Sequence, residues 1–380
     1  MQKKRGHSAL TYPSARFHPM LTRRQFVTRA TLALSAAALP LPRLRAADKS
    51  GRRLPITGQD AHTYEVVHDW LQPPAGLVWG DTHGLAQDAN GFIYVAHTVH
   101  RSSMRADAVA VFDDKGRFVR SFGPEYRGGA HGLDLRREGT DEFLYHSDVN
   151  RCRTVKTTLQ GEVVWARDYP TDDPAYASSP INYTPTNIAF APDGGYYVGD
   201  GYGSSRILRY DANNRFVGEI GRPAAPQPGA PPAEPEDGVL NCPHGLWVDT
   251  RGPEPLLVVA DRGHRRVQVF TLDGEHRRTI KQDTRLRMPC HFHVRGDLMV
   301  CPDLDSQVCL LDRDWQVLAQ LGDGREHNGN VGSRRNQPRS EFTSGEFICP
   351  HDAIFLHNGD ILVAEWLPIG RVTLLRHVGA

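Results

Sequence analysis

Acidic residues are missing from the start of this 380-residue chain: nine Lys or Arg and no Asp or Glu precede Asp48. The remainder holds 36 basic against 44 acidic residues, a net charge of −8, which argues against a body that binds nucleic acid. Cysteine is scarce as well. The six (Cys152, Cys242, Cys290, Cys301, Cys309, Cys349) show no CxxC spacing and are too scattered for a zinc ribbon or knuckle. They read as small buried apolar side chains; disulfides are permitted after export, but no pairing follows from sequence. The apolar run ATLALSAAALPLP is too short and too Ala-rich for a stable membrane span.

What the basic head does contain is TRRQFVTR at 22–29, paired arginines just ahead of that apolar run, with small residues following around Ala46 and Ala47. This is the pattern of a twin-arginine export signal over residues 1–47, although the 21 residues before Thr22 make a long lead. The expected partner is the twin-arginine export machinery. The expected location is periplasmic or secreted, for a domain at 48–380 that folds before export and can carry a cofactor.

Glycine (36) and proline (27) are plentiful, as suits a turn-rich all-β protein. From residue 83 one pattern recurs: an apolar strand, a turn, a second strand ending in an acid, a short loop, then Arg and a β-branched residue opening a third strand. PTNIAFAPDGGYYVGDGYGSSRILRYDANNRFVGEIG and PHGLWVDTRGPEPLLVVADRGHRRVQVFTLDGEHRRTI are its best copies. The first-strand positions are His83, His131, Asn187, His244, Cys290 and His351, spaced as the blades of a six-bladed β-propeller are. The last copy lacks a fourth strand. TYEVVHDW at 63–70 is expected to supply it, closing the ring and removing an open edge. The Pro-rich 222–238 and the polar 325–347 read as inserts between blades.

In a blade, the residue opening the first strand and the residue after the antiparallel second strand meet at the same mouth of the channel. The second set is Thr98, Val149, Tyr202, Arg262, Leu304 and Trp366. His131, His244 and His351 fall in alternate blades, so three imidazoles converge with approximate three-fold symmetry, the pattern of a His₃ zinc site with an open position. His83 is an added candidate as ligand or base; His291 and His293 depend on the register of blade five. Tyr202 is the candidate base and Arg262 the candidate clamp for a substrate carboxylate. The acids Asp148, Asp200, Asp261, Asp303 and Glu365, with Arg153, Arg206, Arg266 and Arg371, repeat too often for catalysis and read as structural ties.

These motifs, over roughly residues 80–378, resemble the NHL-repeat propeller of peptidyl-α-hydroxyglycine α-amidating lyase (peptidylamidoglycolate lyase). The resemblance implies zinc at His131, His244 and His351, catalysis by Tyr202 and Arg262, and a structural calcium on the backbone carbonyls of Leu85, Leu133 and Cys349. Three features depart from it. Blade one has Thr98 where the family places a second arginine after His97, blade two reads GAHGLDL without the usual Pro, and no companion copper hydroxylase domain is present. The expected function is metal-dependent cleavage of a C–N or C–O bond at a hydroxylated carbon of a small or peptide carboxylate. One rival is a non-catalytic NHL propeller binding protein or glycan. Another is a calcium-dependent lactonase, which the acid-free histidine ring disfavours.

Overall fold

The second strand of each repeat is apolar on both faces, which places it inside a sheet that is itself covered on both sides. Ile93–His97, Tyr196–Asp200 and Ile361–Glu365 are buried along their whole length. The fourth strands, such as Phe118–Phe122 and Val163–Arg167, are largely half-buried or exposed and form the outer edges. The computed structural model describes residues 54–178, 182–224, 235–281, 285–329 and 331–379; the expected export signal lies outside them. Among the described residues no helix is long and apolar enough to cross a membrane.

The result is a six-bladed β-propeller. Its innermost strands, in blade order, are Thr82–Gln87, Ala130–Glu138, Asn187–Phe190, Pro243–Asp249, His293–Arg295 and Pro350–Phe355. Six buried apolar clusters fill the spaces between successive blades, so the core is a ring of face-to-face sheet packings around the channel.

Closure follows the expected route. His62–Val67 pairs antiparallel with Arg371–His377, with Tyr64 opposite His377 and Val67 opposite Leu374. A fifth strand, Ile56–Gln59, adds outside it. Tyr64 and Val66 are buried against Val308, Leu310 and Leu375, so the chain ends are joined by packing as well as by the ladder. Val66→Asp is expected to lower stability by about 3 kcal/mol or more, because it places an unpaired carboxylate in that seam. Chemical denaturation checks this; a loss near zero would mean the ring does not depend on the seam.

The acid and arginine ladder is structural but less uniform than its repetition suggested. Asp261 pairs with Arg266 at 2.8 Å and Glu365 with Arg371, both pairs buried. Arg153 goes instead to Asp168, and Arg206 to Glu219. What the acids share is that each accepts backbone N–H groups from the adjoining loops, as Asp303 does from Arg287, Met288 and Asp305. The insert at 325–347 is more than a connector. Its Arg335 stacks 3.7 Å over Trp366 and pairs with Asp81, covering the blade-six side of the mouth.

Candidate metal centre

Six backbone hydrogen bonds define the mouth. The residue after each second strand donates its N–H to a carbonyl at the entry of the first strand. The pairs are Thr98 to Asp81 (3.0 Å), Val149 to Gly129 (2.9 Å), Tyr202 to Thr184 (3.4 Å), Arg262 to Cys242 (3.3 Å), Leu304 to Met288 (2.9 Å) and Trp366 to Cys349 (2.8 Å). Two residues after each acceptor come His83, His131, Thr186, His244, Cys290 and His351. Thr186, not Asn187, is therefore the blade-three member. Its hydroxyl lies 3.0 Å from both the Gly199 and Pro243 carbonyls, while Asn187 turns toward Asp134.

The four ring histidines are brought together. Ring centroids are 4.9 Å apart for His131 and His244, 4.7 Å for His131 and His351, and 4.7 Å for His244 and His351. His83 lies 4.7 Å from His131 and 4.5 Å from His351. The closest set of ligating atoms is that of His83, His131 and His351, all within 4.8 Å of one another. Orientation, however, favours the alternating trio. His131 Nδ1 donates to Thr186 O (2.8 Å), His244 Nδ1 to Cys290 O (2.8 Å) and His351 Nδ1 to His83 O (3.0 Å). A carbonyl on the following blade thus fixes the proton on Nδ1 and leaves Nε2 as the free donor, the anchoring that metal-ligating histidines use. His83 has no such anchor, since its Nδ1 is buried without a partner.

The local sequence explains how these anchors form. In HGL, glycine follows histidine because the next blade's backbone comes too close for a side chain. A Cβ on Gly132 would collide with Thr186 O, and one on Gly245 with Cys290 O, the same carbonyls that hold His131 and His244.

Burial holds all four imidazoles in the neutral, coordinating form. His131 is pushed down to about 3, and His83, His244 and His351 fall well below the usual histidine range. Tyr202 overhangs them, 41% exposed as a residue, with its hydroxyl 3.1 Å from His131 Nε2 and 3.0 Å from His244 Nε2. One phenol proton satisfies only one of these two acceptors, and His351 Nε2 is buried with no donor at all. The centre therefore carries more nitrogen lone pairs than protons to fill them. That donor set fits a zinc-type ion.

Arg262 completes the mouth. Its Nη2 donates to Tyr202 Oη at 3.1 Å, and its other contacts are the thiols of Cys242 and Cys290, at 3.4 and 3.8 Å. No carboxylate among the described residues pairs with it. It stays fully protonated: burial opposes the charge, but Tyr202 and the two thiols outweigh burial. Burial pushes Tyr202 up to about 12, even though Arg262 pulls the other way.

Leu85 and Leu133 line a cavity of about 310 Å³ together with Asp134, His291 and His293, Leu133 also lines the cavity beside the histidine ring, and the Cys349 carbonyl accepts the Trp366 N–H. Sequence reasoning also missed Asp134 and Asp352, buried in the channel; an acid inside the apolar strands HGLDL and PHDAIF was a readable signal. Arg335 had no such signal, because it arrives from an insert.

No protein-family model matches the chain. Among curated proteins it is similar to peptidyl-glycine alpha-amidating monooxygenase B of Xenopus laevis, 26% identical over 251 residues that cover 60% of this chain and 26% of that protein. It is also similar to a probable peptidyl-alpha-hydroxyglycine alpha-amidating lyase of Caenorhabditis elegans, 26% identical over 214 residues, covering 50% and 56%. The chain thus spans about a quarter and about half, respectively, of these two relatives. A streptogramin B lyase structure shares the fold, with a TM-score of 0.53 at 12% identity, covering 84% of this chain and all of that one.

Proposed function

We propose that this propeller, similar in sequence to amidating lyases, is a metal-dependent lyase that cleaves a C–N or C–O bond at a hydroxylated carbon of a small or peptide carboxylate. The supporting observation is the set of three imidazoles anchored through Nδ1 to the next blade, beneath a tyrosine and an arginine that no acid among the described residues neutralises. His131, His244 and His351 would hold the ion. When bound, a zinc-type ion supplies Lewis acidity that makes a substrate hydroxyl easier to deprotonate.

The chain's own residues supply the rest. Tyr202 Oη lies at the entrance to the nitrogen cluster and accepts the hydroxyl proton; as the carbinol becomes a carbonyl and the C–N or C–O bond breaks, the same phenol returns that proton to the leaving nitrogen or oxygen. Arg262 binds the carboxylate with charge-assisted hydrogen bonds and so orients the scissile bond above the histidines. The thiols of Cys242 and Cys290 are weak acceptors, so a carboxylate displaces them readily. Arg262→Ala is expected to raise KM about 100-fold while retaining the metal, since a charge-assisted pair contributes about 1.5–3 kcal/mol. Steady-state kinetics test this; an unchanged KM removes the clamp.

The decisive trial is turnover of α-hydroxyglycine compounds by protein stripped of metal and then reloaded with zinc. Activity that survives stripping would remove the metal from the reading, and activity that never appears on reloading would leave a binding propeller as the better one. On the TRRQFVTR motif we also propose delivery to the periplasm or the outside by the twin-arginine machinery. An Arg23→Lys, Arg24→Lys chain retained in the cytoplasm would support that reading, and unaltered export would remove it.

A further inference from the structure

The insert at 325–347 brings a second guanidinium to the mouth. Arg335 Nε donates to the Trp366 carbonyl at 3.2 Å, its Cζ sits 3.7 Å over the Trp366 ring, and its Nη2 donates to Asp81 Oδ1. Trp366 follows the second strand of blade six, and Asp81 stands two residues before His83 of blade one. Arg335 is therefore held over the seam between the blades that carry His351 and His83. In a ring of six blades that seam lies opposite the one between blades three and four, where Tyr202 and Arg262 overhang the histidines. The nitrogen cluster has an arginine on each side.

The two arginines differ in charge. Arg262 has no carboxylate partner among the described residues, which suits a substrate carboxylate, whereas Arg335 is already neutralised by Asp81. A second carboxylate at Arg335 would meet the like charge of Asp81; a neutral oxygen acceptor would not. A purely structural arginine spends its whole fork, as Arg266 does on Asp261 and the carbonyls of Pro235, Glu236 and Val239. Arg335 spends two of its five N–H groups and leaves Nη1 without a partner among the described residues, in a side chain 18% exposed. We infer that Arg335 is a specificity residue of the mouth, donating from Nη1 to a neutral carbonyl on the departing side of the substrate while Arg262 holds the carboxylate at the other end. This rests on the lyase reading of the mouth and adds to it the residue that reads the departing group. As the C–N bond breaks, its electron pair passes to the nitrogen, which takes the proton returned by Tyr202. The carbonyl oxygen next to that nitrogen carries the charge that develops meanwhile, against a donor already in place. The position of Arg335 is also felt by His83: after burial and His131, it does more than Arg262 to hold that ring neutral.

The test is calorimetric titration of the full protein, dialysed against zinc, with hippurate and with γ-phenylbutyrate. The two match in length and carboxylate, and only hippurate has the carbonyl. Neither carries the hydroxyl, so neither is turned over; failure of the lyase reading would show in the turnover of α-hydroxyglycine compounds and leave this measurement standing. Arg335→Met is expected to weaken hippurate about 10-fold or more and to leave γ-phenylbutyrate within about twofold. An equal loss for both acids, no loss for hippurate, or no saturable hippurate binding by the parent would each overturn the inference. The insert stays tied in this variant through Arg339, which pairs with Asp69 and donates to the Ile369 carbonyl at 3.0 Å. If Arg335→Met does not fold, Arg335→Lys is read in the same way. Its ammonium keeps the charge beside Asp81 but presents no fork to the carbonyl, so the same selective loss is expected.

Discussion

Alanine at position 244 is expected to leave a folded propeller that no longer retains a stoichiometric transition metal and turns over substrate only at background. His244 is held by the Cys290 carbonyl at 2.8 Å, so its free Nε2 is aimed at the centre before any ion arrives. Removing it deletes one of three anchored donors and leaves a gap that its neighbours cannot fill. The parent should carry one zinc-type ion per chain on elemental analysis, and the variant far less. His83→Ala is the matched control. Its ring is just as close to His131 and His351, but its Nδ1 has no anchor, so this variant should keep the ion. If His83→Ala loses metal while His244→Ala keeps it, the site belongs to the tighter cluster of His83, His131 and His351 instead.

Tyr202→Phe is expected to lower kcat by about 10²- to 10⁴-fold with metal content unchanged, the range for loss of a general base. The pH dependence distinguishes this role from simple packing. Without an ion, burial holds Tyr202 up at about 12, too high for a base at neutral pH, although Arg262 favours the phenolate. A bound dication must bring it down further. A base acts only when deprotonated, so the parent's rate should rise with pH up to the Tyr202 pKa and then level off. In Tyr202→Phe that limb should disappear. A phenylalanine enzyme with the parent's pH profile would assign the proton to another group.

Much of the architecture was legible in the residues. The repeat spacing predicts six blades, and the missing fourth strand of the last copy predicts the pairing now seen between His62–Val67 and Arg371–His377. The pairing of strand-opening with strand-following positions at one mouth was likewise legible, because antiparallel geometry alone requires it. Blade three was misread by one residue. Thr186 and Asn187 are both polar, and only the hydrogen bond from Tyr202 to the Thr184 carbonyl shows which of them opens the strand. The carbonyl set for calcium came from resemblance alone.

Local order was written into the sequence by itself: buried strands, turn residues between them, and a glycine after His83, His131 and His244, where the neighbouring backbone approaches. These are properties of residues near one another in the chain. Tertiary structure decided the rest. His351 finds its acceptor at His83, 268 positions away, and Asp352 finds the Leu85 N–H 267 positions away. Which nitrogen faces the axis depended on closing the ring, because only closure sets the last blade's imidazole and carboxylate against the first blade's backbone.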